Sequence, residues 1–270
     1  RQMCIRDSLD IDYMDGYRVF TWNKKRFPNP RRLIEYLHNQ GFKVVVIIDP
    51  YVKCDKDYPL YRQMLRDRLY VTRRDGRPFI AYGWPGKSLM PDFTISSCRK
   101  WWGNQYLSFS EKFDVDGFWN DMNEPSVETR IRALFSFDRE QEEMIFYDRG
   151  EHSPASRIGN IYGFLEQKAT YEALREKNKR FFILSRSGFA GIQRYSANWT
   201  GDIWSTWSHL RGTISMILNL GICGIVFVGA DIGGFAPIAI KANPKLYIRW
   251  IELGVFHPFM RGHYMKYKPS

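Results

Sequence analysis

The segment Lys43-Val-Val-Val-Ile-Ile48 constrains this chain more than any other. A sheet with one wet face alternates apolar and polar residues. Five β-branched residues in a row do not alternate, and they fit a parallel strand buried on both faces. Just upstream, Asn29-Pro30 reads as a helix start, with Asn as N-cap and Pro in the first turn. Leu33, Ile34 and Leu37 follow at helical spacing, and Gly41 closes the helix. The apolar run then ends at Asp49-Pro50.

The same order recurs downstream. Strands are expected over 115–120, ending at Asp121, over 181–184, ending near Arg186, and over 222–228, ending near Asp231. Helical stretches over 161–177 and 207–218 lie between them. Alternating strands and helices imply an α/β fold with a parallel sheet. A charged residue at each strand's C-terminal end is the layout of a (β/α)8 TIM-type barrel, whose active site lies on that face. An open doubly wound sheet is the alternative. No glycine-rich phosphate loop follows any strand, so a nucleotide-binding version has no support. Residues 51–92 break the pattern. Asp75-Gly76 between two β-prone runs signals a hairpin, read as a small insertion after an early strand.

Charge and composition narrow the function classes. Forty Lys and Arg against 29 Asp and Glu give a net charge of +11, which raises the question of nucleic acid. The basic residues are scattered in short clusters such as Arg31-Arg32 and Arg73-Arg74 and form no stripe, so none is expected as a partner. Residues 213–230 carry no charge and approach the length of a membrane span. Asn219, Gly221, Gly224 and Gly229 interrupt the run and Asp231 closes it, so a buried helix followed by a buried strand is expected and no membrane partner. The four cysteines lack the spacing of a zinc or redox motif, and Cys223 reads as a small buried hydrophobe. Aromatic residues make up 16% of the chain, which suits either stacking on sugars or a large core.

Asp116-Gly-Phe-Trp-Asn-Asp-Met-Asn-Glu-Pro125 is the richest segment for chemistry. A strand end with amide donors and an aromatic wall suits a carboxylate that must stay ionised and rigid, and equally suits an acidic capping loop. Glycosidic cleavage through an oxocarbenium-like transition state needs two carboxylates flanking the anomeric carbon. Asp49, Asp92, Asp202 and Asp231 are the candidates for the second.

At these residues the chain resembles glycoside hydrolase family 31, the α-glucosidase and α-xylosidase family. The segment from Trp119 to Glu124 resembles its nucleophile motif and Trp199-Thr-Gly-Asp202 its acid/base motif. Six further segments resemble the family in order: Leu9-Asp10-Ile-Asp-Tyr-Met, Ile48-Asp49-Pro50, Trp84-Pro-Gly with Pro91-Asp92-Phe, Ser185-Arg186-Ser-Gly-Phe, Gly229-Ala-Asp231-Ile-Gly-Gly-Phe235 and Phe259-Met-Arg-Gly-His263. The resemblance implies Asp121 as nucleophile and Asp202 as general acid/base. It implies substrate contacts from Asp10, Asp49, Trp84, Trp119, Met122, Arg186, Trp199, Asp231, Phe235 and His263. Without a site role, Asp231 and Arg186 would suit a structural ion pair, and His38 a surface or packing role. Ile203 departs from the family, where Asn follows the acid.

The implied activity is that of a retaining, exo-acting α-glucosidase that takes an oligosaccharide or α-glucoside and needs neither metal nor organic cofactor. An α-xylosidase or α-transglucosylase is the alternative, as is an inactive truncated glycan-binding fragment. A metal-dependent barrel hydrolase would want clustered His and Asp ligands, and only His263 is well placed. The resemblance begins at Leu9. Residues 1–8 are polar and read as a non-native leader, leaving 9–270 as a partial barrel that lacks its first strand. Such a barrel has open edges, so the chain alone is expected to fold poorly and work weakly.

Overall fold

The computed structural model describes residues 6–127, 142–177, 179–236 and 243–265, with backbone alone for 6, 7 and 148. Residues 1–5 of the expected leader and 266–270 of the tail lie outside them. The chain divides into two units, Arg1–Ile183 and Leu184–Ser270.

In the first unit, β1 (Arg6–Leu9) leads through two short 3-10 turns to α1 (Pro30–Asn39) and β2 (Lys43–Ile48). The helix starts as the sequence dictates. The Asn29 side chain accepts the Arg32 N–H at 3.1 Å, and Pro30 stands in the first turn, where its missing N–H costs nothing. Gly41 takes the left-handed conformation that ends the helix, at φ +83°. Val44 to Ile48 are all buried, as a strand covered on both faces requires.

Strand β1 pairs in parallel with β2, Leu9 opposite Val46. It takes in residues 6–8 of the expected leader. Pairing along an edge runs through backbone groups, so polar residues there do not prevent it.

Next come β3 (Val52–Lys53), α2 (Pro59–Arg66), β4 (Ile80–Gly83) and β5 (Gly86–Leu89), which form the expected insertion. Three of its segments make a small antiparallel sheet in the order β3-β5-β4. The Asp75-Gly76 turn is closed by Arg73 N–H on the Arg77 carbonyl at 2.8 Å.

The unit continues with α3 (Ser96–Phe113), β6 (Gly117–Asn120), the hairpin β7 (Ile145–Asp148) and β8 (Glu151–Pro154), and α4 (Ala155–Leu174). Strand β6 pairs in parallel with β2, Ile48 opposite Asn120. Helices α3 and α4 approach closely at Gly103, where a Cβ would meet the Ala169 carbonyl at 2.8 Å. Much of the aromatic content fills this unit's core. Tyr13, Trp22, Trp102, Tyr106, Phe109 and Phe118 are buried and pack edge to face or stacked.

A charged cluster fastens the N-terminal ends of β2 and β6. The buried Asp116 carboxylate accepts the Val44 N–H at 2.9 Å and lies 2.6 Å from His38 Nε2. Lys43 and Lys179 reach its other oxygen at 3.4 and 3.3 Å. His38 therefore packs against a carboxylate at the end of the strands opposite to Asp49 and Asp121. Burial alone would raise the Asp116 pKa, but the Val44 N–H, His38 and Lys179 outweigh it and hold the carboxyl below its ordinary value. Asp116→Ala is expected to cost about 3 kcal/mol in denaturant unfolding at pH 7, because it leaves a buried N–H without its acceptor and removes a paired charge. The unfolded value is about 3.9, so the charge's contribution is present above that pH and fades as pH falls through the folded value. The gap to Asp116→Asn should accordingly close below about pH 4.

Strand β9 (Phe182–Ser185) begins in the first unit and ends in the second. The second unit adds β10 (Ala197–Trp199), α5 (Trp207–Ile222), β11 (Val228–Asp231), α6 (Pro244–Gly254) and β12 (Phe259–Arg261). Strands β9, β10, β11 and β12 are successive parallel neighbours. Gly229 permits the last pairing, since a Cβ there would sit 1.7 Å from the Phe259 carbonyl oxygen.

The strand expected over 222–228 is corrected. Helix α5 runs on to Ile222, and Gly224 then closes it at φ +86°, with Gly224 N–H on the Gly221 carbonyl and Ile225 N–H on Leu220. The strand starts only at Val228. Cys223, expected to be buried, caps this helix and is exposed. No helix among the described residues is long and apolar enough to cross a membrane.

Candidate active site

In the first unit, each parallel strand delivers a carboxylate at its C-terminal end. Asp10 follows β1, Asp49 follows β2 and Asp121 follows β6. Asp10 is exposed and its side chain accepts the Ile11 N–H at 2.7 Å. Asp49 and Asp121 are both buried. The Asp121 N–H donates to the Ile48 carbonyl at 3.1 Å, which continues the β2–β6 ladder and fixes the backbone under the carboxylate. Its Oδ1 accepts the Met122 N–H at 2.8 Å. Met122 makes that geometry by adopting φ +56°, a left-handed conformation that costs a non-glycine residue about 1 kcal/mol or more. Trp119, two residues earlier on β6, is buried.

Below Asp121 lies a buried polar network that composition did not flag. Tyr106 Oη donates to Asn120 Oδ1 at 2.8 Å, and Asn120 Nδ2 donates to Gln167 Oε1 at 3.1 Å and Thr170 Oγ1 at 3.2 Å. Asn123 Nδ2 donates to Glu166 Oε2 at 2.9 Å. Both asparagines beside the aspartate are thus anchored to α4. The sequence did hold a signal for Glu166. Ile158, Tyr162, Glu166 and Thr170 recur every four residues along α4, all buried, and a lone carboxylate on such a stripe is costly unless it has a task.

Asp92, a candidate for the second carboxylate, accepts from neighbouring groups through both oxygens. Its Oδ1 accepts the Thr94 N–H at 3.0 Å and the Thr94 hydroxyl at 2.5 Å, and its Oδ2 accepts the Tyr147 N–H at 2.6 Å. Trp84 stands in the turn between β4 and β5 with half its surface exposed.

The second unit repeats the arrangement. Arg186 follows β9, Asp202 lies three residues beyond β10, Asp231 ends β11 and His263 lies two beyond β12. Arg186 Nη1 donates to Asp202 Oδ2 at 3.3 Å, with the Asp202 side chain nearly half exposed. Ile203, the departure from the family pattern, is buried with Ala230, Ile232, Leu246 and Trp250. It anchors the loop in the core while the neighbouring carboxylate stays open to solvent.

Asp231 is fully buried and accepts from Arg261 Nε at 3.0 Å, and the same guanidinium lies 5.1 Å from the centre of the Trp199 ring. Sequence reasoning did not single out Arg261, although it stands inside the quoted segment two residues before His263. The Phe235 and His263 rings are stacked at 5.2 Å. Burial, with Arg261 close by, pushes the His263 pKa down to about 4, so its imidazole is neutral near pH 7. Among the described residues no group of three or more His, Cys, Asp or Glu side chains is placed to hold a metal ion.

Parallel strands alternating with helices, with charged side chains following the strands' C-terminal ends, fit a β/α-barrel-type fold. Residues 7–270 match the model of the glycosyl hydrolases family 31 TIM-barrel domain, and the chain belongs to that family. It is 42% identical over 257 residues to "Alpha-glucosidase 2" of Bacillus thermoamyloliquefaciens, covering 94% of this chain and 31% of that protein. The family 31 α-glucosidase structure from Bacteroides thetaiotaomicron superposes with a TM-score of 0.81 at 40% identity, over 99% of this chain and 42% of that one. The endoplasmic-reticulum glucosidase II complex of a catalytic subunit and the binding domain of a regulatory subunit gives 0.84 at 35%, over 96% and 28%. The chain thus spans less than half the length of these relatives.

Proposed function

We propose that this chain carries the catalytic residues of a retaining, exo-acting α-glucosidase. The observation that carries the reading is Asp121, a buried carboxylate at the end of β6, oriented by the Met122 N–H and flanked by two anchored asparagines. The names of relatives about 40% identical support glucose as the sugar.

The chemistry is a double displacement. A carboxylate oxygen of Asp121 attacks the anomeric carbon, and Asp202 gives its proton to the departing glycosidic oxygen. The sugar is then held as a β-glucosyl ester. Asp202, now ionised, takes a proton from water, the water oxygen attacks the same carbon, and Asp121 leaves as carboxylate. Two inversions return the α anomer. Asp10, Arg186 and His263 grip hydroxyls of the non-reducing sugar. Asp49, Trp84, Trp119, Met122, Trp199, Asp231 and Phe235 line its subsite, and Arg261 holds Asp231 in place.

The test is release of 4-nitrophenol from its α-D-glucoside and α-D-xyloside, with the released sugar followed by proton NMR. Faster turnover of the glucoside with α-glucose appearing first supports the reading. Preference for the xyloside, or β-glucose first, overturns it.

A further inference from the structure

Glu166 takes no part in the reaction as described, yet it is a carboxyl group sealed in the core beneath Asp121. We propose that Glu166 is a positioning residue of this active site, whose carboxyl clamps the segment Asn120-Asp121-Met122-Asn123 through Asn123 and Tyr106. The proposal rests on the reading of Asp121 as nucleophile.

The contacts support it. The shorter contact of the Tyr106 hydroxyl is 2.8 Å, to Asn120 Oδ1. The same hydroxyl stands 3.5 Å from Glu166 Oε1, at the outer limit of a hydrogen bond in which Tyr106 is the donor and Glu166 the acceptor. Glu166 Oε2 meanwhile accepts from Asn123. Tyr106 thus links Glu166 to Asn120, while Asn123 donates directly to Glu166. The residue before Asp121 and the second residue after it are held from one carboxyl group on α4.

The surroundings favour the neutral carboxyl. The titratable groups facing Glu166 are Asp121 at the end of β6, Tyr106 on α3 and Tyr162 on α4 itself. Burial pushes its pKa up to about 8, against the lowering effect of the Asn123, Trp102 and Tyr106 side chains, and the charge of Asp121 pushes the same way as burial. The unfolded value is about 4.3, so between these two values the folded chain holds a proton that the unfolded chain lacks. Stability from this group is full below about pH 4.3 and falls as pH rises to about 8. Above that, the clamp gains a charge that repels Asp121.

Glu166→Gln keeps the size and cannot ionise, and Glu166→Ala removes the clamp. Denaturant midpoints for the wild type and Glu166→Gln are compared from pH 5 to 9, beside kcat and KM for 4-nitrophenyl α-D-glucoside, whose leaving group needs little protonation. The wild-type midpoint should fall relative to that of Glu166→Gln as pH rises, and the alkaline fall in kcat should shrink in the variant. Glu166→Ala should lose about 10²-fold in kcat with KM little changed, as expected for a slightly misplaced nucleophile. Parallel midpoints across the range overturn the proposal, and so does full kcat in a folded Glu166→Ala. The midpoint comparison needs neither turnover nor the alanine variant. Asp121→Asn, run beside them, tests the nucleophile reading separately: full activity there overturns that reading and the clamp's catalytic purpose with it, while the midpoints still report on the Glu166 proton.

Discussion

Replacing Asp121 with alanine should lower hydrolysis of an α-glucoside by about 10⁴-fold or more, with far-UV circular dichroism and the unfolding midpoint close to those of the parent. The magnitude follows from the role. Without the carboxylate no glucosyl ester forms, and only binding and the acid remain to assist, so the loss is about 5 kcal/mol of barrier or more. The fold should tolerate the change because the local backbone is held by Asp121 N–H on the Ile48 carbonyl and by the Asn120 and Asn123 side chains, none of which needs the carboxylate. Azide supplies the sharper result. A small anion entering the vacated space attacks the α face's opposite side once and cannot be displaced again, so azide should restore turnover and give the β-glucosyl azide. Unchanged hydrolysis in the alanine variant would remove Asp121 from the chemistry. Azide product of α configuration would mean that a different group forms the covalent intermediate.

The sequence reports some of this architecture strongly and some not at all, for physical reasons. Strand β2 is visible because Val44 to Ile48 are branched at Cβ and buried on both faces, so composition alone marks them. Strands β10 and β12 are three residues each, and Ala197-Asn-Trp199 or Phe259-Met-Arg261 has no periodicity to detect. They are strands because their neighbours offer backbone partners. The misplaced start of β11 has a different origin. Residues 222–228 are as apolar as any strand, but a helix already under way ends where Gly224 lets it, and hydropathy does not register that closure.

The same division holds for the site. Asp121 and Asp202 are recognised from short contiguous motifs that resemble a family's. Their surroundings come from elsewhere in the chain: Glu166 lies 43 residues from Asn123, and Arg186 lies 16 from Asp202. Asp92 shows the converse. It stands in a quoted segment like a site carboxylate, and its oxygens accept from Thr94 and from Tyr147, 55 residues away. A carboxylate's role depends on what its oxygens face, and for long-range partners only the fold decides that.

Asp202→Ala should separate two substrates by the basicity of their leaving groups. The acid matters in proportion to the basicity of the departing oxygen. A disaccharide leaves as a sugar alkoxide unless it is protonated, so its hydrolysis should fall by about 10³- to 10⁴-fold. Nitrophenolate leaves unaided, and its first step should slow by less than about tenfold. The second step still suffers, since no base remains to deprotonate water. The glucosyl ester on Asp121 should therefore accumulate, giving a burst of nitrophenol and a lowered KM. Azide needs no base, so it should accelerate this variant too, but here it displaces Asp121 and gives the α-glucosyl azide. The two alanine variants thus yield opposite anomers from one reagent, and that contrast assigns the roles independently of rate. Arg186, 3.3 Å from Asp202, belongs to the same experiment. Arg186→Lys keeps the charge but loses the planar fork that aims at the carboxylate, so it should slow the disaccharide more than the nitrophenyl glucoside. Equal losses on both substrates in Asp202→Ala would mean that the proton reaches the leaving oxygen from another residue, and the acid would then be sought among the remaining strand-end carboxylates, Asp10, Asp49 and Asp231.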